Sequence, residues 1–210
     1  MGILKGMYDA IIIGAGVAGS YAAYKLSSAG LKVCVVERFK LPREKLCAGG
    51  VSIRAKELID FDITPMIHKS VSSIKFGFRN DKFTDYQSDK PVIFTVNRKD
   101  FDYFILNQGK DIDVMDGVRA RNVEQQRDSV AVELSSGDKI QGRWLVLATG
   151  ALDNLTKSLS GIKIKKRRGF GVEFISHKTP VTPEIYIDFG FPVNGYSWVF
   201  PRNDGYGRVR

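Results

Sequence analysis

The sequence predicts an α/β fold built on a parallel sheet, and three observations carry that expectation. An apolar β-type run, Tyr8 to Ile13, leads into Gly14-Ala15-Gly16-Val17-Ala18-Gly19; an alanine-rich helical stretch follows from Ser20 to Ser28; a second apolar run, Leu31 to Val36, ends in Glu37. Strand, glycine turn, helix and strand in this order make a nucleotide-binding βαβ unit of the Rossmann type. Gly14 permits the tight turn, Gly16 lets the backbone approach a pyrophosphate, and Gly19 lets helix and strand pack closely. The helix start, with Ala18 among the candidate cofactor contacts, then faces the phosphates with unpaired N–H groups and a partial positive charge. Gly30 suits the helix C-cap. Glu37, with Arg38 behind it, stands where an acid would hold the adenosine ribose. The structural alternative is a glycine turn that binds nothing.

Composition sets the outer limits. With 210 residues and 43% hydrophobic content the chain can bury a real core, as one large domain or two small ones. The formal charge of +9 is spread along the chain apart from one run, Lys163, Lys165, Lys166, Arg167 and Arg168. That run reads as a solvated face, with anionic lipid headgroups as its functional option. No helix-turn-helix, zinc-finger or RNP-type pattern accompanies it, so nucleic acid is not an expected partner. Cys34 and Cys47 fit no metal-ligand spacing, and His68 and His177 stand alone, so no metal is expected. Cys34 lies within an apolar strand pattern, which points to a small core residue in a reducing, cytoplasmic setting. No apolar run reaches the roughly 18 residues of a membrane span, so any membrane contact is expected to be peripheral.

Three later segments refine the nucleotide. Val96-Asn97-Arg98-Lys99-Asp100-Phe101-Asp102 carries Arg98 into a helix with Asp102 one turn on; Val114 to Val123 is a β-run that would bring backbone near Ala120 beside an adenine; Trp144 to Gly150 is an apolar strand ending in Ala148-Thr149-Gly150. Each also has a structural reading: Arg98 and Asp102 as an i, i+4 pair, and the small residues as an ordinary strand exit. Taken in order with the glycine turn, they resemble glutathione-reductase-like flavoproteins of the hydroxylase type. That resemblance implies FAD, with Arg98, Ala120, Thr149 and Gly150 among its contacts.

Two further stretches narrow the family. Pro42-Arg43-Glu44-Lys45-Leu46-Cys47-Ala48-Gly49-Gly50-Val51-Ser52 follows the second strand, and Tyr196-Ser197-Trp198-Val199-Phe200-Pro201 stands near the end. Both match the geranylgeranyl reductase family, which the chain resembles over essentially its whole length; Ala48 departs from the glycine common in the first loop. The resemblance implies saturation of carbon–carbon double bonds in a polyprenyl lipid, with an electron donor that the sequence does not name. It places Cys47, Ala48, Gly49 and Gly50 near the flavin ring, Cys47 as a candidate proton donor, and Tyr196, Trp198 and Phe200 along an apolar tunnel. Without the family, Gly49-Gly50 is a turn that lets backbone approach a planar ligand, and the aromatic run is the core face of a sheet.

Aromatic hydroxylases and halogenases are the competing resemblances. Hydroxylases usually show Asp-Gly where Thr149-Gly150 stands, and halogenases carry a Trp-x-Trp-x-Ile-Pro strand and a lysine-bearing loop that this sequence lacks. The family's Gly-Asp-Ala turn does not occur before Arg210, so the sequence reads as a fragment or truncated homologue. A non-enzymatic remnant, or one half of a split enzyme, is the alternative of another class. The expected organisation is an FAD-binding domain from residues 1–70 and 97–160, with a mainly antiparallel substrate sheet from 71–96 and 161–210.

Overall fold

In the computed structural model, which describes residues 6–151, 155, 159, 171–176, 183–202 and 207–209, the chain divides into two units. Residues 1–43 and 99–167 form the first, and 44–98 and 168–210 the second. The basic run from Lys163 to Arg168 and His177 lie outside the described residues.

The first unit is a six-stranded sheet with helices. Its strands are β1 (Tyr8–Ile13), β2 (Val33–Glu37), β8 (Ile112–Asp116), β9 (Ala120–Gln125), β10 (Val130–Leu134) and β11 (Lys139–Leu147), in the order β8-β2-β1-β11-β10-β9. The four strands β8, β2, β1 and β11 run parallel. β11 is long enough to serve two neighbours: residues 139–142 pair antiparallel with β10, and 142–147 pair parallel with β1. Parallel strands are covered on both faces, which is why β1 and β2 read as continuous apolar runs. Alternate residues feed two cores. Ile11, Ile13, Cys34 and Val36 pack with Val132, Leu134 and Ile140, whereas Ile12, Val33 and Val35 pack with Ala15, Ala23 and Leu106. The helices are α1 (Val17–Ser28) and α3 (Arg98–Leu106), the latter crossing the unit boundary at its first residue.

One polar contact is built into the first core. The buried Tyr8 hydroxyl donates to Asp113 Oδ2 at 2.8 Å. Burial pushes the Cys34 thiol up to about 12, helped by the nearby Asp113 carboxylate, and raises the Tyr8 hydroxyl as well.

Two expectations on element boundaries need correcting. The run from Val114 to Val123 is two strands, because β8 follows β2 to its end and the chain then reverses through Gly117, at φ 72°, before β9 joins β10. The first helix begins at Val17 and not Ser20: the glycine turn is its first turn, with Ser20 N–H bonded to Gly16 O at 2.8 Å.

In the second unit, β3 (Gly50–Ser52), β4 (Ile67–Val71) and β7 (Ile93–Val96) form a small antiparallel sheet, with α2 (Ile53–Glu57) after β3. β5 (Ser73–Phe78), β6 (Lys82–Gln87), β12 (Phe174–Ser176), β13 (Ile185–Phe189), β14 (Tyr196–Pro201) and β15 (Gly207–Val209) make a six-stranded sheet in the order β12-β15-β14-β13-β5-β6. It is antiparallel except for β13 against β5. Residues 44–70 therefore differ from the sequence expectation and fall in this second unit, because β3 and β4 take their hydrogen bonds from β7.

Candidate functional site

The glycine turn is packed from below and open from above. A Cβ on Gly14, itself at φ 105°, would collide with the Ala148 carbonyl, and one on Gly19 would collide with Gly14 O. Both are glycines because backbone lies against them. Gly16 differs: its Cβ would meet only the tip of the Arg43 side chain, at 3.4 Å. The small residue there keeps free a space that the protein does not itself fill, as close approach of a ligand requires.

Gly16 is the N-cap of α1, with extended φ −78° and ψ 179°, no side-chain cap and no acid in the first turn. By helix geometry the N–H groups of Val17, Ala18 and Gly19 have no intrahelical partner. An uncapped N-terminus of a 12-residue helix favours an anion by dipole and by donors together. Ala18 is exposed there, and Gly14, Gly19, Ala148 and Thr149 meet at the foot of the turn. Gly150, at φ 76°, turns the chain out of β11.

Glu37 braces this turn. It is buried, and its Oε2 accepts the Ala15 N–H at 2.9 Å while Oε1 accepts the Phe39 N–H at 3.1 Å. An ionised carboxylate has about four acceptor positions, and these bonds use two of them. Arg43, which the sequence reading passed over, lies beside it. Its Nε is 3.3 Å from Glu37 Oε2 and its Nη2 is 3.5 Å from Asp102 Oδ2, with only 11% of the side chain exposed. Two buried carboxylates thus hold one guanidinium against Gly16.

The loop carrying Arg43 is anchored in turn by Asp116, which accepts the Leu41 N–H at 2.8 Å and pairs with Lys40 at 2.9 Å. The Leu41 N–H, and then Lys40, hold the Asp116 carboxyl below its ordinary range. Only the adjacency of Arg43 to the second strand could have signalled this set, since Asp102 and Asp116 are distant in sequence. Arg38 is exposed, its guanidinium 4.7 Å over the Phe39 ring. Ala120 opens β9 with its side chain in the core, and Arg98 opens α3.

The second unit holds the other predicted residues. Cys47 is half-buried, and its N–H donates to Glu173 Oε2 at 3.2 Å. Ala48 packs against the apolar cluster of Val71, Ile74, Ile185, Trp198 and Phe200. Gly49, at φ 77°, has the Val96 carbonyl where a Cβ would stand, and its own carbonyl accepts the Val96 N–H at 2.8 Å. A Cβ on Gly50 would lie 2.8 Å from the Phe200 ring, so two residues far apart in sequence are brought together.

Tyr196, Trp198 and Phe200 share one face of β14, but in different environments. Trp198 and Phe200 are buried in the sheet core, whereas Tyr196 is 53% exposed. The same face carries Ile185, Ile187 and Phe189 of β13 and Ile74, Phe76 and Phe78 of β5, as the registers require. This apolar lattice is buried at the Ile185 end and open at the Phe189 end.

The comparisons with known proteins agree with this architecture. The pyridine nucleotide-disulphide oxidoreductase family matches residues 8–184. An uncharacterized protein of Methanosarcina barkeri is 30% identical over 202 residues, covering 94% of this chain and 52% of its own length. The geranylgeranyl diphosphate reductase of Rhodobacter capsulatus is 25% identical over 207 residues, covering 92% of this chain and 52% of its own length. The chain thus spans about half the length of the curated relatives it matches. Among solved structures, a geranylgeranyl bacteriochlorophyll reductase-like protein of Thermoplasma acidophilum superposes with a TM-score of 0.83 at 21% identity, over 97% of this chain and 56% of the other.

Proposed function

We propose that this chain, which belongs to the pyridine nucleotide-disulphide oxidoreductase family, holds the ADP half of FAD on its glycine turn and serves a reductase of polyprenyl carbon–carbon double bonds. The observation that carries the cofactor reading is the space over Gly16, bounded by the uncapped start of α1, Glu37 and Arg43. In the proposal the N–H groups of α1 and the Arg43 guanidinium take the pyrophosphate, and Glu37 takes the ribose hydroxyls. Arg38, Arg98, Ala120, Thr149 and Gly150 are the remaining assigned cofactor contacts.

The polyprenyl reading is supported by the Cys47-Ala48-Gly49-Gly50 loop, the likeness to the Rhodobacter reductase, and the apolar face of β5, β13 and β14. Reduced flavin supplies a hydride when bound. Saturating an alkene needs that hydride on one carbon and a proton on the other, and an unactivated alkene accepts hydride poorly unless protonated in step. Cys47 is the proposed proton source, directly or through a water. Gly49 and Gly50 let the loop pack against Val96 and Phe200, and Tyr196, Trp198 and Phe200 exclude water along the isoprenoid.

The test is an FAD-supplemented version of the protein, alone or mixed with a candidate second chain, reduced with dithionite. The proposal expects saturation of a geranylgeranyl lipid, read by mass spectrometry. Should that version bind FAD, leave the lipid untouched and consume oxygen with an aromatic substrate, it is a hydroxylase.

A further inference from the structure

The apolar lattice of the second unit does not end inside the protein. At its open end two turns lie side by side: the β5–β6 turn after Phe78, and the loop from Phe189 to Tyr196. They are joined by the Arg79 N–H donating to Phe189 O at 2.8 Å. Both are tight, with Arg79, Asn80, Gly190 and Asn194 all at positive φ, and together they form the rim of the sheet's open end. Phe78, Phe189, Phe191 and Val193 are all exposed on it, Val193 at 83%. Water is a poor environment for four such side chains together.

The rim also carries charge, with cations in excess. Arg79 and Lys82 are exposed and form no ion pair among the described residues; the Arg79 guanidinium lies 5.2 Å over the Phe78 ring. Asp81 is the one carboxylate exposed in the same turn, because Asp188 is buried and holds the Asn80 N–H at 2.9 Å.

We infer that this rim is a docking surface for an anionic lipid bilayer. Four partly exposed side chains present roughly 400 Å² of apolar area, well short of the ~800 Å² per partner that a stable protein interface buries. With a second copy of the chain, the rim alone would supply only about half of such an interface. A bilayer accepts a small apolar patch, with aromatic rings at headgroup depth and the two cations among lipid phosphates. The inference goes beyond the flavin reading and does not depend on it, because vesicle binding needs neither flavin nor isoprenoid.

The experiment is cosedimentation of the chain with vesicles of phosphatidylcholine alone, and of phosphatidylcholine mixed with phosphatidylglycerol. The parent chain binds the mixed vesicles more tightly, and added salt narrows the difference. The double variant Phe191→Ser/Val193→Ser loses affinity for both by about tenfold or more. Arg79→Gln/Lys82→Gln retains binding to neutral vesicles but loses the preference for anionic ones. All four positions are exposed, so melting curves should match the parent. Absence of vesicle binding by the parent overturns the inference. So does binding that the serine pair leaves unchanged, which would move the contact elsewhere, for instance to the run from Lys163 to Arg168. Self-association that the serine pair abolishes, with vesicles ignored, assigns the rim to a second copy instead.

Discussion

Arg43 shows how much one residue can settle. Its guanidinium is held between Glu37 and Asp102, and all three side chains are buried or nearly so. A buried pair contributes little beyond an apolar replacement, but removing one member strands the rest. Arg43→Ala should therefore cost about 3 kcal/mol in a urea titration, and more than Asp102→Asn, which leaves the Glu37 contact in place. Equal stability of parent and Arg43→Ala would mean that water reaches the site freely. At the other end of the sheet, Cys34 and Tyr8 both have folded-state values raised above their unfolded ones, by burial first. The folded state holds those protons longer, so the stability they contribute is complete below about pH 8.5 and is lost as pH rises toward 12. The melting temperature should fall above about pH 9, and less so in Cys34→Ala. A flat profile to pH 11 would remove the buried thiol from the account.

Secondary-structure elements divide into those that the sequence announces and those that it cannot. β1 and β2 are legible because strands covered on both faces must be apolar throughout, and the glycine turn is legible because only glycine fits where backbone packs on backbone at Gly14 and Gly19. The start of α1 is harder to read, since a glycine-rich first turn looks like loop although it is helix. The passage of residues 44–70 into the second unit depends on β7 pairing with both β3 and β4, a partnership between segments some tens of residues apart that leaves no local pattern. The cluster of Glu37, Arg43 and Asp102 escapes for the same reason. The aromatic run of β14 was readable as one face of a strand, but not the depth to which each ring is buried, because that depends on β13 and β5.

At the scale of the whole molecule, a unit built around the glycine turn accompanies a second unit whose larger sheet has an apolar face, in a chain about half as long as the relatives it matches. The account stands or falls on whether the first unit takes FAD at the glycine turn. Gly16 is the position at which to ask, since its extended φ of −78° suits any residue and only the tip of Arg43 borders it. The decisive measurement is a calorimetric titration of FAD, with ADP as competitor, into the parent chain and into Gly16→Val, alongside their melting curves. The account predicts that the parent binds FAD, that ADP competes, and that Gly16→Val melts like the parent but binds about a hundredfold more weakly, ~2.7 kcal/mol. Equal FAD affinity in the two proteins, or no binding by the parent, would contradict it.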